Sequence, residues 1–73
     1  MNAQQSRNVT LEPDDAEQLA NLAGPFDAHL RQIELRLVVE IANRGNVFKV
    51  TGPAGTAAAA ERLLRSLFSA AAT

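Results

Sequence analysis

The sequence predicts an α+β domain in which a three-stranded sheet packs on three helices, in the order βααββα. Two observations give this prediction. Segments with alternating or β-branched apolar residues occur near the start and in the second half of the chain, and segments with helical spacing of apolar residues lie between and after them. The chain has 73 residues, which suits one small domain with a single apolar core.

The first strand is expected just before Pro13. Val9 and Leu11 alternate with polar residues, as in a half-buried strand, and the pattern stops at the proline. We therefore expect a flexible tail over residues 1–8, a single domain over residues 9–70 and a short C-terminal tail over residues 71–73.

Helix one is expected to follow at once. Asp14 is placed to cap its first turn, with Glu17 three residues later completing a capping box. Gly24 and Pro25 supply a left-handed stop and a residue that cannot continue the helix. The expected apolar stripe consists of Ala16, Leu19, Leu22 and Ala23.

Helix two is expected to start at Pro25, which fits a first helical turn. Its apolar face is predicted to carry Phe26, Leu30, Ile33 and Leu37. On the outer surface Arg31 can pair with Glu34, and Arg36 with Glu40, although exposed pairs of this kind contribute only about 0.3–0.5 kcal/mol.

A hairpin and a third helix complete the prediction. The segment from Val38 is β-branched, Arg44-Gly45 is typical of a turn, and the second strand ends at Gly52-Pro53. The alanine-rich segment that follows has helical spacing at Ala60, Leu63, Leu64, Leu67, Phe68 and Ala71. We expect the helices on one side of the sheet, with the other side, which bears Lys49, exposed.

Composition excludes several classes of protein. There is no cysteine, so neither a disulfide framework nor a cysteine-based zinc site can form. Seven basic and eight acidic side chains give a net charge of −1, which does not by itself indicate a nucleic-acid binder. The polar start and the lack of a long apolar run predict a cytoplasmic protein with no membrane partner.

We identify no catalytic, metal-binding or cofactor-binding group in the chain. The glycines of Gly52-Pro53-Ala54-Gly55 are followed by no lysine, so they do not form a Walker A loop. His29 is the only histidine and lacks companion metal ligands. The carboxylates near residue 15 suit the dipole of a first helical turn.

The turn between the first two helices is the best candidate for a binding site. Two helices joined by a glycine turn resemble the KH domain, whose Gly-x-x-Gly loop clamps a single-stranded backbone. Here Asp27 replaces the second glycine, adds negative charge, and has an alternative role as the cap of helix two. The candidate nucleic-acid contacts are Gly24, Pro25, His29, Arg31, Arg36 and Arg44.

Six short runs, in order and at compatible spacings, resemble the N-terminal domain of bacterial PhoH-like proteins. They are LEP (11–13), LANLAGPFD (19–27), LRQIE (30–34), IANRGN (41–46), VTG (50–52) and AERLL (60–64). The resemblance spans about residues 9–68, nearly the whole chain. It implies a KH-like domain of type I order, with aspartate at the clamp position as a habit of the family.

The resemblance also implies a place in a larger protein. PhoH-like proteins are phosphate-starvation-inducible P-loop ATPases associated with RNA metabolism, and their ATP- and magnesium-binding domain lies downstream of this module. We therefore expect a non-catalytic accessory domain without a cofactor of its own, which binds single-stranded RNA or a ribosome-maturation nuclease beside the parent's ATPase domain. The alternative is a protein-interaction or oligomerisation module with no direct RNA contact.

Overall fold

The computed structural model describes residues 4–72 and confirms an α+β fold with the element order βααββα. A single 3-10 turn, Pro25–Asp27, precedes the second helix. The predictions for residues 1–3 and 73 lie outside the described residues. The elements are β1 (Gln4–Thr10), α1 (Ala16–Ala23), α2 (Ala28–Leu37), β2 (Glu40–Arg44), β3 (Val47–Pro53) and α3 (Ala54–Ala70).

The sheet is antiparallel and has the strand order β1-β3-β2, so β3 is central. The β2–β3 hairpin closes at the pair Arg44 and Val47, through Gly45 and Asn46, one position later than predicted. Gly45 has φ of 61°, which glycine adopts at little cost.

Strand β1 begins at Gln4, five residues before its predicted start, so the expected tail over residues 1–8 is wrong for residues 4–8. Gln4 pairs with Pro53 at the far end of β3, and the ladder continues to Thr10 opposite Val47. The side chains at the start of β1 are polar, so they carry no apolar alternation. Pairing with the long central strand, rather than local pattern, extends β1.

One core lies between the sheet and the helices, and all three helices contribute to it. The sheet contributes Val9, Phe48 and Val50, while Lys49 and its neighbours in register face away from the helices, as predicted. The buried apolar residues are Val9, Leu11, Leu22, Leu30, Ile33, Val39, Phe48, Val50, Ala57, Ala60, Leu64 and Phe68.

Helix α1 is capped by Asp15 and not by Asp14. The Asp15 carboxylate accepts hydrogen bonds from the backbone N–H groups of Glu17 (3.0 Å) and Gln18 (3.2 Å). This shift moves Glu17 out of the capping-box position. Gln18 is buried instead and donates its side-chain N–H to the carbonyl of Phe68 at 2.7 Å. That bond ties the start of α1 to the end of α3.

Helix α3 packs on the sheet, first through small residues and then through large ones. Ala57 and Ala60 are fully buried, which lets the helix approach the strands closely, and Leu64 and Phe68 continue the same face. At its edge, Glu61 forms ion pairs with Arg7 of β1 (3.2 Å) and Arg65 (3.1 Å). The predicted pairs of Arg31 with Glu34 and of Arg36 with Glu40 do not form.

Replacing Leu64 by alanine tests whether this face carries the stability of the domain. Leu64 has no exposed surface, so the variant should lose about 2–5 kcal/mol of unfolding free energy in chemical denaturation. Leu63→Ala is the matched control, since Leu63 keeps 39% of its surface exposed and should cost much less. Equal losses in the two variants would contradict the assigned face.

Two glycine-to-alanine changes should act in opposite directions. A Cβ at Gly52 would lie 2.7 Å from Cγ1 of Val39, so Gly52→Ala should destabilise the fold by about 1–3 kcal/mol. Gly55 is the second residue of α3 and has open space around it, so Gly55→Ala should stabilise the fold by about 0.5–1 kcal/mol. Thermal melting of both variants checks the signs, and a neutral Gly52→Ala would refute the close contact.

Candidate nucleic-acid interface

The corner between α1 and α2 contains three residues with positive φ, namely Gly24, Phe26 and Asp27. Gly24 has φ of 77° and ends α1, with its N–H donating to the carbonyl of Ala20 at 3.0 Å. Phe26 and Asp27 follow with φ of 53° and 59°. Left-handed backbone at Phe26 is strained, because the Cβ of a bulky residue crowds the backbone at positive φ, whereas glycine has no Cβ.

His29 holds the corner in place. Its Nδ1 lies 3.0 Å from the carbonyl oxygen of Leu22, and a carbonyl can only accept, so Nδ1 carries the proton. The imidazole also packs on Gly24, where an added Cβ would lie 2.8 Å from Nδ1. Of the predicted contacts, Gly24, Pro25 and His29 therefore do meet, and His29 has a structural role there.

Phe26 is 96% exposed, so its predicted place in the apolar face of helix two is wrong. The left-handed turn separates residue 26 from the helical register, and α2 begins only at Ala28. Asp27 does not cap α2, which was the alternative role expected for it. Its backbone is left-handed, whereas capping residues are extended.

The corner offers few backbone donors to a phosphate. The N–H groups of Gly24, Asp27 and Ala28 already donate to the carbonyls of Ala20, Gly24 and Pro25, respectively. Pro25 has no N–H. A clamp built from several main-chain donors, of the Gly-x-x-Gly kind, is therefore not available here, and the largest group that the corner presents to solvent is the Phe26 ring.

The three predicted arginines lie on separate surfaces. Arg31 lines a groove between α2 and β2, and Arg36 lines a different groove between α2 and α3. Five helical residues rotate the chain by about 140° beyond one full turn, which accounts for the separation. Arg44 stands at the end of β2, in register with Val47 on the open face of the sheet. The structure thus brings His29 and Arg36 together but not all six residues.

The groove between α2 and β2 has a volume of about 170 Å³ and runs along the unpaired edge of β2. Sequence reasoning missed the role of Glu34, whose Oε2 accepts the backbone N–H of Ile41 at 2.8 Å. This bond occupies a donor on the strand edge. Asp27 also lines the groove, so Arg31 shares it with two carboxylates.

The other sequence motifs give no competing site. Gly52 is buried against Val39, so the first glycine of the Gly52-Pro53-Ala54-Gly55 segment does not expose its backbone to a phosphate. Among residues 4–72, no three His, Asp or Glu side chains are grouped to hold a metal ion. No helix in this range has the length and apolar content needed to span a bilayer.

Gly24→Ala should destabilise the domain by about 1–3 kcal/mol, because alanine is strained at this φ and its Cβ meets the His29 ring. A double-mutant cycle with His29→Ala, followed by urea denaturation, separates the two causes. We expect His29→Ala to relieve the contact part and to leave the backbone part. Strictly additive losses would mean that the ring and Gly24 are not in contact.

No protein-family model matches the chain, and no solved structure matches it significantly. The candidate binding site is therefore defined by the residues and geometry of the corner and of the grooves beside it.

Proposed function

We propose that this chain is a non-catalytic accessory domain that binds single-stranded RNA through the corner between α1 and α2. The observation that carries the proposal is the Phe26 ring, 96% exposed on a strained left-handed turn that His29 holds in place. Single-stranded RNA presents unstacked bases that bind to exposed aromatic side chains. The corner offers one such ring on a fixed support.

The charges nearby support modest binding. Glu61 engages two of the seven basic side chains, Arg7 and Arg65. Five therefore have no ion pair within residues 4–72, namely Arg31, Arg36, Arg44, Lys49 and Arg62. Arg31 is the nearest of these to the corner along α2. Asp27 and Glu34 oppose it, so we expect stacking to dominate and phosphate contacts to be few.

The wider role follows from the sequence resemblance to PhoH-like proteins. We propose that the domain positions a P-loop ATPase, which would supply the ATP and magnesium chemistry, on RNA or beside a ribosome-maturation nuclease in the cytoplasm. The KH-like element order agrees with that family's front module. In this arrangement the chain itself takes no cofactor and contributes only recognition.

Changing the ring at position 26 tests the stacking contact. The binding free energy for a labelled single-stranded RNA of about eight nucleotides is measured by fluorescence anisotropy. Phe26→Tyr should leave it unchanged, and Phe26→Leu should weaken it by about 1–3 kcal/mol. Leu35→Ala is the matched control, since Leu35 is 80% exposed on α2 and should leave binding unchanged.

Salt provides a second measurement on the same complex. If two cations contact phosphates, affinity should fall only about sevenfold between about 50 mM and about 200 mM salt. Equal binding by Phe26→Leu and the unaltered protein would remove the stacking contact. No binding of RNA even in low salt would exclude RNA and leave the protein-interaction module as the remaining function.

A further inference from the structure

A groove separates α2 from α3 on the helical side of the domain, at a distance from the β2 edge. It has a volume of about 350 Å³. Its apolar lining is Ile33, Leu37, Leu63 and Leu67, and its polar lining is His29, Gln32 and Arg36. The polar groups all belong to α2, whereas α3 contributes only leucines. The two walls therefore differ in chemistry.

The groove continues beyond α2. A second depression of about 330 Å³ lies between α1 and the end of α3 and shares His29 and Leu67 with the first. The combined groove follows α3 from Leu63 to Ala71, about 12 Å for eight helical residues. An elongated shape of this length fits a segment of polypeptide, such as two turns of a helix, better than a compact small molecule.

The charge of the groove lining indicates which kind of polypeptide segment would fit it. No aspartate or glutamate lines either part of the groove, although acidic side chains outnumber basic ones in the whole chain, eight to seven. Arg36 lines it, and within residues 4–72 it has no ion pair or hydrogen bond. A ligand with carboxylates facing α2 and apolar side chains facing α3 would complement both walls.

From these features we infer that the groove binds an acidic amphipathic helix of a partner protein. The apolar face of that helix lies against Leu63 and Leu67, and its carboxylates lie beside Arg36. The lining contains no Phe, Tyr or Trp ring and only one arginine, and its one aromatic ring, the His29 imidazole, already contacts the Leu22 carbonyl and Gly24. Those properties disfavour RNA in this groove and favour a peptide. Phe26 does not line the groove, although His29 borders both sites, and the observations behind the groove do not depend on the RNA proposal.

A peptide-display selection on the folded domain tests the inference. The probe is a library of random peptides of about 16 residues, long enough to span the groove as a helix. We expect enriched peptides to be amphipathic and acidic. Arg36→Glu should lower the affinity of these peptides about tenfold or more in fluorescence anisotropy, because it reverses the charge that faces their carboxylates. Replacing the acidic residues of an enriched peptide by lysine should restore its binding to that variant.

Two control variants make the result specific. Arg62→Glu makes the same charge change at an exposed position of α3 that does not line the groove, and it should leave binding unchanged. Leu63→Ala should weaken binding, whereas Leu35→Ala on the outer surface of α2 should not. Circular dichroism of each variant shows that loss of binding is not loss of folding.

The outcomes are distinct. Acidic peptides that depend on Arg36 and Leu63 and shift the backbone NMR signals of α2 and α3 would support the inference. Failure to enrich any peptide, enrichment of basic peptides, or binding that Arg36→Glu and Arg62→Glu weaken equally would overturn it. RNA that shifts the signals of Leu63 and Leu67 would also overturn it, because the groove would then serve nucleic acid.

Discussion

The packing of α3 on the central strand is the interaction on which the rest of the structure depends. Strand β3 pairs with both other strands, and its Phe48 and Val50 are buried under the helices. Ala57 and Ala60 let α3 approach this strand closely, and Leu64 fills the space beyond them. A chain of 73 residues forms one core of this kind and no second, so each helix must pack on the same side of the sheet. The opposite side, with Lys49 and Arg44, is left to solvent.

The two ends of α2 show how the candidate surfaces depend on that core. Leu30 and Ile33 fix the helix against the sheet, while Phe26 before it and Val38 after it are exposed in left-handed backbone. Bulky residues in this conformation carry strain, and strain of this kind concentrates at functional positions. The fixed helix then presents Arg31 to one groove and Arg36 to another. One short helix thereby places two basic side chains in grooves with different chemistry.

A few carboxylates determine which basic side chains of the surface are paired. Glu61 engages two basic side chains at the β1 edge, and Glu34 bonds to the β2 edge at Ile41. These carboxylates are committed to structural contacts. Within residues 4–72, Arg36 therefore has no ion pair beside the apolar wall of α3, and Phe26 stands at a corner with little positive charge. The proposed RNA and peptide surfaces do not share these two side chains, although His29 borders both.

The sequence by itself determined the element order, the stop at Gly24, the hairpin and most of the buried face of α3, because each follows from apolar spacing or from local backbone preference. Leu63 was also predicted on that face, but 39% of its surface is exposed. The capping residue, the polar start of β1 and the exposure of Phe26 depended on tertiary structure. Asp14 and Asp15 are equally able to cap in isolation, and the contact of Gln18 with Phe68, fifty positions away, favours Asp15. Gln4 becomes part of a strand only because Pro53 lies opposite it.

The six predicted nucleic-acid contacts are near one another along the chain, but helical rotation and the strand register place them on different surfaces. Interactions within a few residues can be inferred from the sequence, whereas contacts between distant segments exist only once the core has brought those segments together.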